Sequence, residues 1–244
     1  MNGFSWIVRR ELTAYFISPL AYVYIVIFLV MAGSLTFFVG GFLDRGLADL
    51  DSFFLFHPWL YLFLVPAIGM RLWAEESKTG TVELLMTLPV STAAAVLGKF
   101  VAAWLFTGLA LALTFPLWIT VNLLGNPDNG VILAAYAGSW LMAGAFLALS
   151  ACMSALTRNQ VVAFVLAAAV CFLFMVSGLE IVQAGLTGWA SPVVTAAVAE
   201  LSLIGNFEAI ARGVIDLRDL LYFLSLIGSA LVVNLVIVEL RKGA

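Results

Sequence analysis

Six apolar runs without a formal charge dominate the pattern of hydrophobic and polar positions along this chain. They contain between 19 and 32 residues each, and short polar or charged stretches separate them. A helix of about 20 apolar residues crosses a hydrocarbon core of about 30 Å, and backbone in lipid must satisfy its own hydrogen bonds. The pattern therefore predicts an all-α polytopic membrane protein with six transmembrane helices. The runs lie between Glu11 and Asp44, Asp51 and Arg71, Lys99 and Asp128, Asp128 and Arg158, Arg158 and Glu180, and Asp219 and Glu239.

Residues 1–19 are predicted to form a separate amphipathic helix before the first span. Apolar side chains line one face, polar side chains line another, and Pro19 ends the helix. Trp6, Arg9 and Arg10 are of the residue types that favour the headgroup region, so we expect this helix to lie in the cytoplasmic membrane interface. The alternative is a first span that extends inward.

The segment between the fifth and sixth spans has a different character. Its first half carries no formal charge, but Gly185, Gly188 and Pro192 interrupt it. We therefore expect residues 181–219 to form a broken outer segment before the sixth helix, part of which could re-enter the membrane under the cover of other helices. Because no Gly/Ser linker, low-complexity tract or evident repeat occurs, residues 1–244 are interpreted as a single integral membrane domain.

Composition and charge support this topology. Hydrophobic residues make up 64% of the chain, charged residues 10%, and the mean hydropathy is +1.13, which excludes a soluble globular domain. Cytoplasmic loops of membrane proteins collect Lys and Arg, so the side with most of these residues is expected to be cytoplasmic. In a six-span arrangement eight of the eleven basic residues share one side with both termini. The eight are Arg9, Arg10, Arg71, Lys78, Lys99, Arg158, Arg241 and Lys242.

The sequence lacks motifs for catalysis or cofactor binding. There is no G-x-x-x-x-G-K-[ST] phosphate-binding loop, because Gly98-Lys99 lacks the upstream glycine and the following hydroxyl. His57 is the single histidine, so we expect no histidine-based catalytic site, no metal and no cofactor. Cys152 and Cys171 fall inside predicted spans and are interpreted as small packing residues. The chain is therefore not expected to be an enzyme, and no nucleic-acid partner is expected.

Small residues recur at helical spacing in the fourth and fifth spans. Such stripes let helices approach closely in lipid, which favours packing within the chain over an interface between two copies. The positions are Gly144, Ala148 and Cys152 in the fourth span, and Ala163, Ala167 and Cys171 in the fifth.

The stretch WAEESKTGTVELLMTLPVS, residues 73–91, differs from its apolar surroundings because it contains four formal charges. Gly80 separates two short helical pieces. The first would continue the second span into the cytoplasm, and the second would begin at Thr81, carry Glu83 in its first turn and end at Pro89. One interpretation is a loop that rests on lipid headgroups. The excess of acid opposes contact with anionic headgroups, and the apolar side chains of the second piece favour docking to a protein.

Residues 76–91 closely resemble the loop after the second span of ABC-2 type exporter permeases. The resemblance rests on the pattern E-x-x-x-G-T-x-E-L-L-x-T-L-P-V-S, and it is strongest to the branch associated with bacterial gliding-motility transporters. VLGKF at 96–100 and FEAIARGVIDLRDL at 207–220 are also similar to that branch. The resemblance implies that the loop is a cytoplasmic coupling helix, inserted into a groove of an ATP-binding subunit. The docking residues that it implies are Glu76, Gly80, Thr81, Glu83, Leu84 and Leu85.

The function implied by the resemblance is that of a permease subunit in an ATP-driven exporter of the bacterial inner membrane. Such a subunit works as a dimer of identical or paralogous chains, with one ATP-binding subunit on each protomer and the substrate path between them. ATP hydrolysis is then expected in the partner, and a periplasmic or auxiliary subunit is left open. The alternatives are a membrane anchor that docks a cytoplasmic partner without transport, and a secondary carrier. The substrate and the residues that bind it are not assigned by the sequence.

Overall fold

The computed structural model describes residues 3–80, 91–188 and 190–242, which form helices joined by turns, without a β-strand among them. The first half contains α1 (Gly3–Ile17), α2 (Pro19–Ser34, continued by a π-helical turn at Leu35–Val39), α3 (Asp51–Leu55), α4 (His57–Gly69), α5 (Arg71–Thr79), α6 (Thr92–Ala112) and α7 (Phe115–Leu124). The second half contains α8 (Asn129–Leu156), α9 (Gln160–Val176), α10 (Glu180–Thr187), α11 (Pro192–Glu200), α12 (Leu203–Ala211) and α13 (Leu217–Lys242).

Four helical segments of the described residues are long and apolar enough to cross a membrane. The number rises to six if two bent helix pairs are each counted as one span. The bent pairs are α9 with α10, at 79°, and α11 with α12, at 56°. The chain is therefore an all-helical, multi-pass membrane protein, as the sequence predicts. The four long segments are Pro19–Val39, Thr92–Leu124, Asn129–Leu156 and Leu217–Arg241.

The second predicted span is not one long helix in the structure. Residues 51–79 are divided among α3, α4 and α5, and α4 has only 13 residues with Pro66 inside it. A helix of that length rises about 20 Å, which is less than the hydrocarbon thickness. Most side chains of α4 are buried within the protein, so this segment belongs to the packed interior.

Hydrogen bonds define several helix boundaries, and among them is the predicted break at Pro19. Ser91 Oγ accepts the backbone N–H of Ala94 at 3.2 Å, which caps the start of α6. Ser18 Oγ accepts the N–H of Leu20 at 3.3 Å, so α1 and α2 are separate helices with Pro19 at the first position of α2. Asn159 caps α9 after a tight turn from α8.

Helix α8 lies at the centre of the structure and packs against α4, α5, α6, α9, α12 and α13. Small residues make these close approaches possible. The thiol of Cys152 donates to the Ala230 carbonyl of α13 at 2.9 Å, and the thiol of Cys171 on α9 donates to the Phe146 carbonyl at 3.7 Å. The small-residue stripes of the fourth and fifth spans therefore pack within the chain, which confirms that interpretation.

Two tryptophans join α6 to α8 through a reciprocal arrangement. The indoles of Trp104 and Trp140 stack with centroids 4.4 Å apart and an interplanar angle of 20°. Each indole N–H donates to the backbone carbonyl of the other tryptophan, at 2.9 and 3.1 Å. Gly108 lies under Trp140 and Gly144 lies under Trp104, where an added Cβ would approach an indole nitrogen to 2.7 and 2.8 Å. Both helices therefore present the same short segment, W-L-x-x-G, to each other.

The single histidine belongs to an aromatic cluster in the interior. His57 is fully buried, and the rings of Phe28, Phe53, Phe54 and Tyr61 lie with their centroids 4.4 to 6.1 Å from its own. Across the described ranges no group of three or more His, Cys, Asp or Glu side chains could hold a metal ion. The imidazole therefore acts here as a packed ring of the core.

The predicted broken outer segment, residues 181–219, consists largely of α10, α11 and α12. Ile210 of α12 packs against Gly138 of α8, where an added Cβ would lie 2.7 Å from the Ile210 side chain. The hydroxyl of Tyr222 on α13 donates to the Leu201 carbonyl at 2.6 Å. These contacts hold the segment against the long helices, and its re-entry into the membrane stays a prediction.

The junction between α4 and α5 is fixed by Ser154 of α8. Its hydroxyl accepts the backbone N–H groups of Trp73 and Ala74, at 3.1 and 3.0 Å, and donates to the Met70 carbonyl at 2.7 Å. A regular helical bond would run from Ala74 directly to Met70, so the hydroxyl is inserted into the hydrogen-bond ladder. A side chain from another helix thus separates the second predicted span from the helix that was predicted to continue it into the cytoplasm.

We expect Ser154→Ala to lower the free energy of unfolding by about 1–3 kcal/mol, because three buried backbone groups lose the hydroxyl that they share. SDS-titration unfolding in mixed micelles measures the change. Ser225→Ala is the matched control, since that exposed hydroxyl donates to the Tyr222 carbonyl of its own helix. Equal losses in the two variants would contradict the role assigned to Ser154.

Candidate functional site

Helix α5 leads into the segment predicted to dock a partner, and Gly80 fixes the direction in which it ends. The φ angle of Gly80 is +74°, in the left-handed region, and its N–H donates to the Glu76 carbonyl. Residues with a side chain rarely adopt this conformation, which explains the glycine. The predicted break at Gly80 is therefore confirmed for the first helical piece. The second piece lies outside the described residues.

Four charged side chains meet beside α5, and Arg10, Glu11, Glu76 and Lys99 are together named the ion cluster. The ammonium of Lys99 lies 2.7 Å from Glu76 Oε1 and 3.2 Å from Glu11 Oε1. The Arg10 guanidinium lies 2.6 Å from Glu11 Oε1 and 3.3 Å from Glu76 Oε1. Two positive and two negative charges balance, and they connect α1, α5 and α6.

Lys99 is the most buried member of the ion cluster. Its side chain is 3% exposed, against 15% for Glu11 and 17% for Glu76. Burial strengthens the attraction between opposite charges and makes the loss of one partner costly. The ammonium also lies 5.4 Å from the ring centroid of Trp73, at the distance of a cation–π contact. Lys99 therefore has compensating partners on two other helices.

The N-terminal helix packs along the first half of α6. Ile7 is fully buried against Gly98, where an added Cβ would lie 2.7 Å from the isoleucine side chain. Tyr15 stacks on Phe106 with the ring centroids 4.9 Å apart. Contacts thus advance along both helices together, so the two helices run side by side in the same direction. The position of α1 in the membrane interface stays a prediction.

The three residues predicted to anchor α1 in the interface have different surroundings. Trp6 is 43% exposed and Arg9 is also exposed, as an interfacial role requires. The guanidinium of Arg10 lies 5.5 Å from the centroid of the Trp6 ring, and the same group donates to Glu11 and Glu76. Arg10 therefore joins the exposed face of α1 to the buried charges, a connection that the sequence did not indicate.

The ion cluster shifts the pKa of Glu11. Burial raises the pKa of this carboxyl, but the neighbouring charges and hydrogen bonds of Lys99 and Arg10 outweigh burial and hold it below its usual value of 4.5. A group whose pKa is lowered by folding stabilises the folded state fully above its unfolded pKa. That stabilisation is lost as the pH falls through the lower, folded-state pKa.

Below pH 4.5 we expect the free energy of unfolding of Glu11→Gln to fall less steeply than that of the wild type, because the titrating carboxyl is removed. The free energy of unfolding, measured at pH values from neutral downwards, gives its slope against pH for the wild type and for the variant. Glu208→Gln is the control, since it removes a carboxyl that forms an exposed pair with Arg212 outside the ion cluster. A wild-type slope in Glu11→Gln would contradict the assignment.

The residues predicted to dock a partner divide into two groups. The Glu76 carboxylate belongs to the ion cluster, where it contacts Arg10 and Lys99, and Gly80 is exposed at the end of the same helix. Their docking role stays a prediction, since a contact within the chain neither requires nor excludes one. The remaining predicted residues, which lie outside the described part of the chain, are Thr81, Glu83, Leu84 and Leu85.

Lys99 and Glu11 were not predicted as site residues. Lys99 lies two turns inside α6, whereas the third apolar run of the sequence begins only after it. A signal existed in VLGKF, because a lysine that becomes surrounded by apolar residues in a membrane helix requires a partner. The sequence could not identify that partner, since Glu11 and Glu76 are 88 and 23 positions away.

The family model described as ABC-2 family transporter protein matches residues 35–227. The chain therefore belongs to the ABC-2 family of transporter proteins. No curated protein matches it significantly. Membership gives the chain a permease role in an ABC transporter and implies a lipid bilayer and an ATP-binding partner subunit, and permeases of this family are typically non-catalytic. The match does not resolve branches of the family, so the gliding-motility resemblance stays a prediction.

Proposed function

We propose that this chain is the transmembrane permease subunit of an ATP-driven ABC-2 type exporter, and that two protomers form the substrate path. Residues 1–244 form one integral membrane domain in a bacterial inner membrane, with both termini in the cytoplasm. Residues 73–91 form the coupling loop, which docks into a separate ATP-binding subunit. Its docking residues are Glu76, Gly80, Thr81, Glu83, Leu84 and Leu85.

The observation that carries this proposal is the attachment of α5 to the rest of the protein. Ser154 fixes the start of the helix to α8, and the ion cluster fixes its middle to α1 and α6. Gly80 then directs the chain into the predicted docking segment. A displacement of that segment would reach three helices through buried contacts, which is the connection that coupling between two sites requires.

Two other functions are compatible with the sequence. A membrane anchor would dock the same cytoplasmic partner without moving a substrate, and a secondary carrier would need no ATP-binding partner. Transport that depends on ATP hydrolysis by a bound partner separates the exporter from both. Family membership favours the exporter, and the rigid connection of α5 supplies a route for the partner's motion.

Affinity purification from membranes in mild detergent tests the proposal. We expect an ATP-binding subunit to copurify in equal amount with the wild type, and Glu83→Lys to retain the partner at least about tenfold less well, because the change reverses a charge in the docking segment. Glu208→Lys is the matched control, since it reverses an exposed charge on α12. A chain that purifies alone, or a Glu83→Lys variant that binds the ATPase and transports normally, would contradict the proposal.

A further inference from the structure

A cleft of about 640 Å³ lies between the start of α2 and the junction of α4 with α5, and it is named the elbow cleft. This volume is in the range of sites that bind small organic molecules. Residues of α1, α2, α4, α5 and α6 supply its walls. Charged side chains line one end and apolar side chains line the other.

Arg71 gives the polar end of the elbow cleft its binding capacity. Its Nε donates to Glu75 Oε2 at 2.7 Å and its Nη2 donates to Glu75 Oε1 at 3.2 Å. A guanidinium carries five N–H donors, so donors remain that have no other partner among the described residues. The acids that line this end already accept hydrogen bonds from arginine or lysine. The polar end therefore offers oriented donors to a group that carries acceptor oxygens.

The apolar end of the elbow cleft follows α2 for two turns. Leu20, Val23 and Ile27 line this wall and are 57%, 52% and 45% exposed. The helix rises about 10 Å from the first to the last of them. Leu64 and Ile68 of α4 form the opposite wall. An alkyl chain that starts near the charged end would lie along this surface and pack against it through van der Waals contacts.

We propose that the elbow cleft binds a phosphate-bearing amphiphile, with the phosphate on Arg71 and the alkyl chain along α2. Phosphate accepts paired hydrogen bonds from a guanidinium, and Glu75 holds the Arg71 guanidinium in place. The same chemistry describes a lipid of the surrounding bilayer and an exported molecule. The second source rests on the proposed exporter function, whereas the binding site itself does not.

Native mass spectrometry of the detergent-purified chain tests the site with two probes that share one tail. We expect oleoyl lysophosphatidylglycerol to bind saturably, one per chain, and at least about tenfold tighter than monooleoylglycerol, which lacks the phosphate. Arg71→Gln is expected to remove this preference. Ala67→Phe is expected to weaken both probes, because Ala67 lines the cleft and the larger side chain fills it.

Arg212→Gln is the matched control for Arg71→Gln. Arg212 also pairs with a glutamate four positions away, Glu208, but it lies on α12 and does not line the cleft. We expect it to keep the wild-type affinity for both probes. Equal affinity for the two probes in the wild type overturns the proposal, as does an equal loss in Arg71→Gln and Arg212→Gln. Size-exclusion chromatography verifies that each variant remains folded, and Ala67→Phe provides a second test if Arg71→Gln does not.

Vesicles that contain the chain and its partner ATPase distinguish the two sources of the ligand. ATP-dependent movement of a fluorescent lysophosphatidylglycerol, lost in Arg71→Gln, identifies an exported molecule. Saturable binding without movement identifies a lipid of the bilayer, and both results support the site. Loss of the site leaves copurification of the ATPase unchanged, whereas failure of the exporter proposal appears as a chain that purifies without an ATPase.

Discussion

Lys99→Met is expected to lower the free energy of unfolding by about 3 kcal/mol, because it leaves two acids of the ion cluster short of a buried counter-charge. Lys99 is 3% exposed, and its ammonium contacts both Glu11 and Glu76. The retained contacts of Arg10 with both acids keep the effect near the lower end of the range for broken buried pairs. SDS-titration unfolding in mixed micelles measures the loss.

Charge balance provides the control for Lys99→Met. In Lys99→Met/Glu76→Gln one positive and one negative charge remain, so we expect the double variant to recover more than half of the loss. Lys78→Met removes an exposed lysine from the same region and should change the stability by less than about 0.5 kcal/mol. If the double variant were as unstable as the sum of both single variants, the ion cluster would not act as a unit.

Gly80→Pro is expected to reduce ATP-driven transport by about tenfold or more, while the membrane-spanning helices remain folded. A change of this size is in the usual range for coupling between two sites. Proline holds φ near −65° and lacks an N–H group, whereas Gly80 has a φ of +74° and donates to the Glu76 carbonyl. The last turn of α5 then cannot close as it does here, and the docking segment leaves in another direction. Transport in vesicles with the partner ATPase measures the effect.

Gly80→Asn is the informative companion to Gly80→Pro. Asparagine tolerates the left-handed region better than other residues with a side chain, and among the described residues no neighbouring atom lies within 4 Å of the position that its Cβ would take. We therefore expect this variant to keep most of the transport activity. Normal transport by Gly80→Pro, or an equal loss in both variants, would show that the direction of the chain at Gly80 does not matter for coupling.

The features that the sequence predicts correctly depend on local interactions. Long apolar runs indicate membrane helices, and a proline after an amphipathic stretch indicates where a helix ends, as Pro19 shows. Gly80 was also predicted to separate two helical pieces, because glycine commonly ends a helix. Each of these inferences needs only the few residues around one position.

The features that the sequence did not predict depend on distant residues. Glu11, Glu76 and Lys99 meet only after three helices have packed, so no local pattern indicates their contact. The inserted hydroxyl of Ser154 separates the second predicted span from α5, although the sequence predicts that the helix continues there. The docking role of the segment after Gly80 rests on resemblance, and it awaits the experiments on Glu83 and Gly80.

The stacked indoles between α6 and α8 also make this protein its own optical reporter. Two chromophores held 4.4 Å apart, with their planes 20° from parallel, couple their strong electronic transitions, so the pair should give an exciton couplet in far-ultraviolet circular dichroism. Trp104→Phe and Trp140→Phe should each remove this couplet. A small slide of α6 along α8 would change its sign or size. A transport cycle that moves these helices against each other could therefore be followed without an attached label.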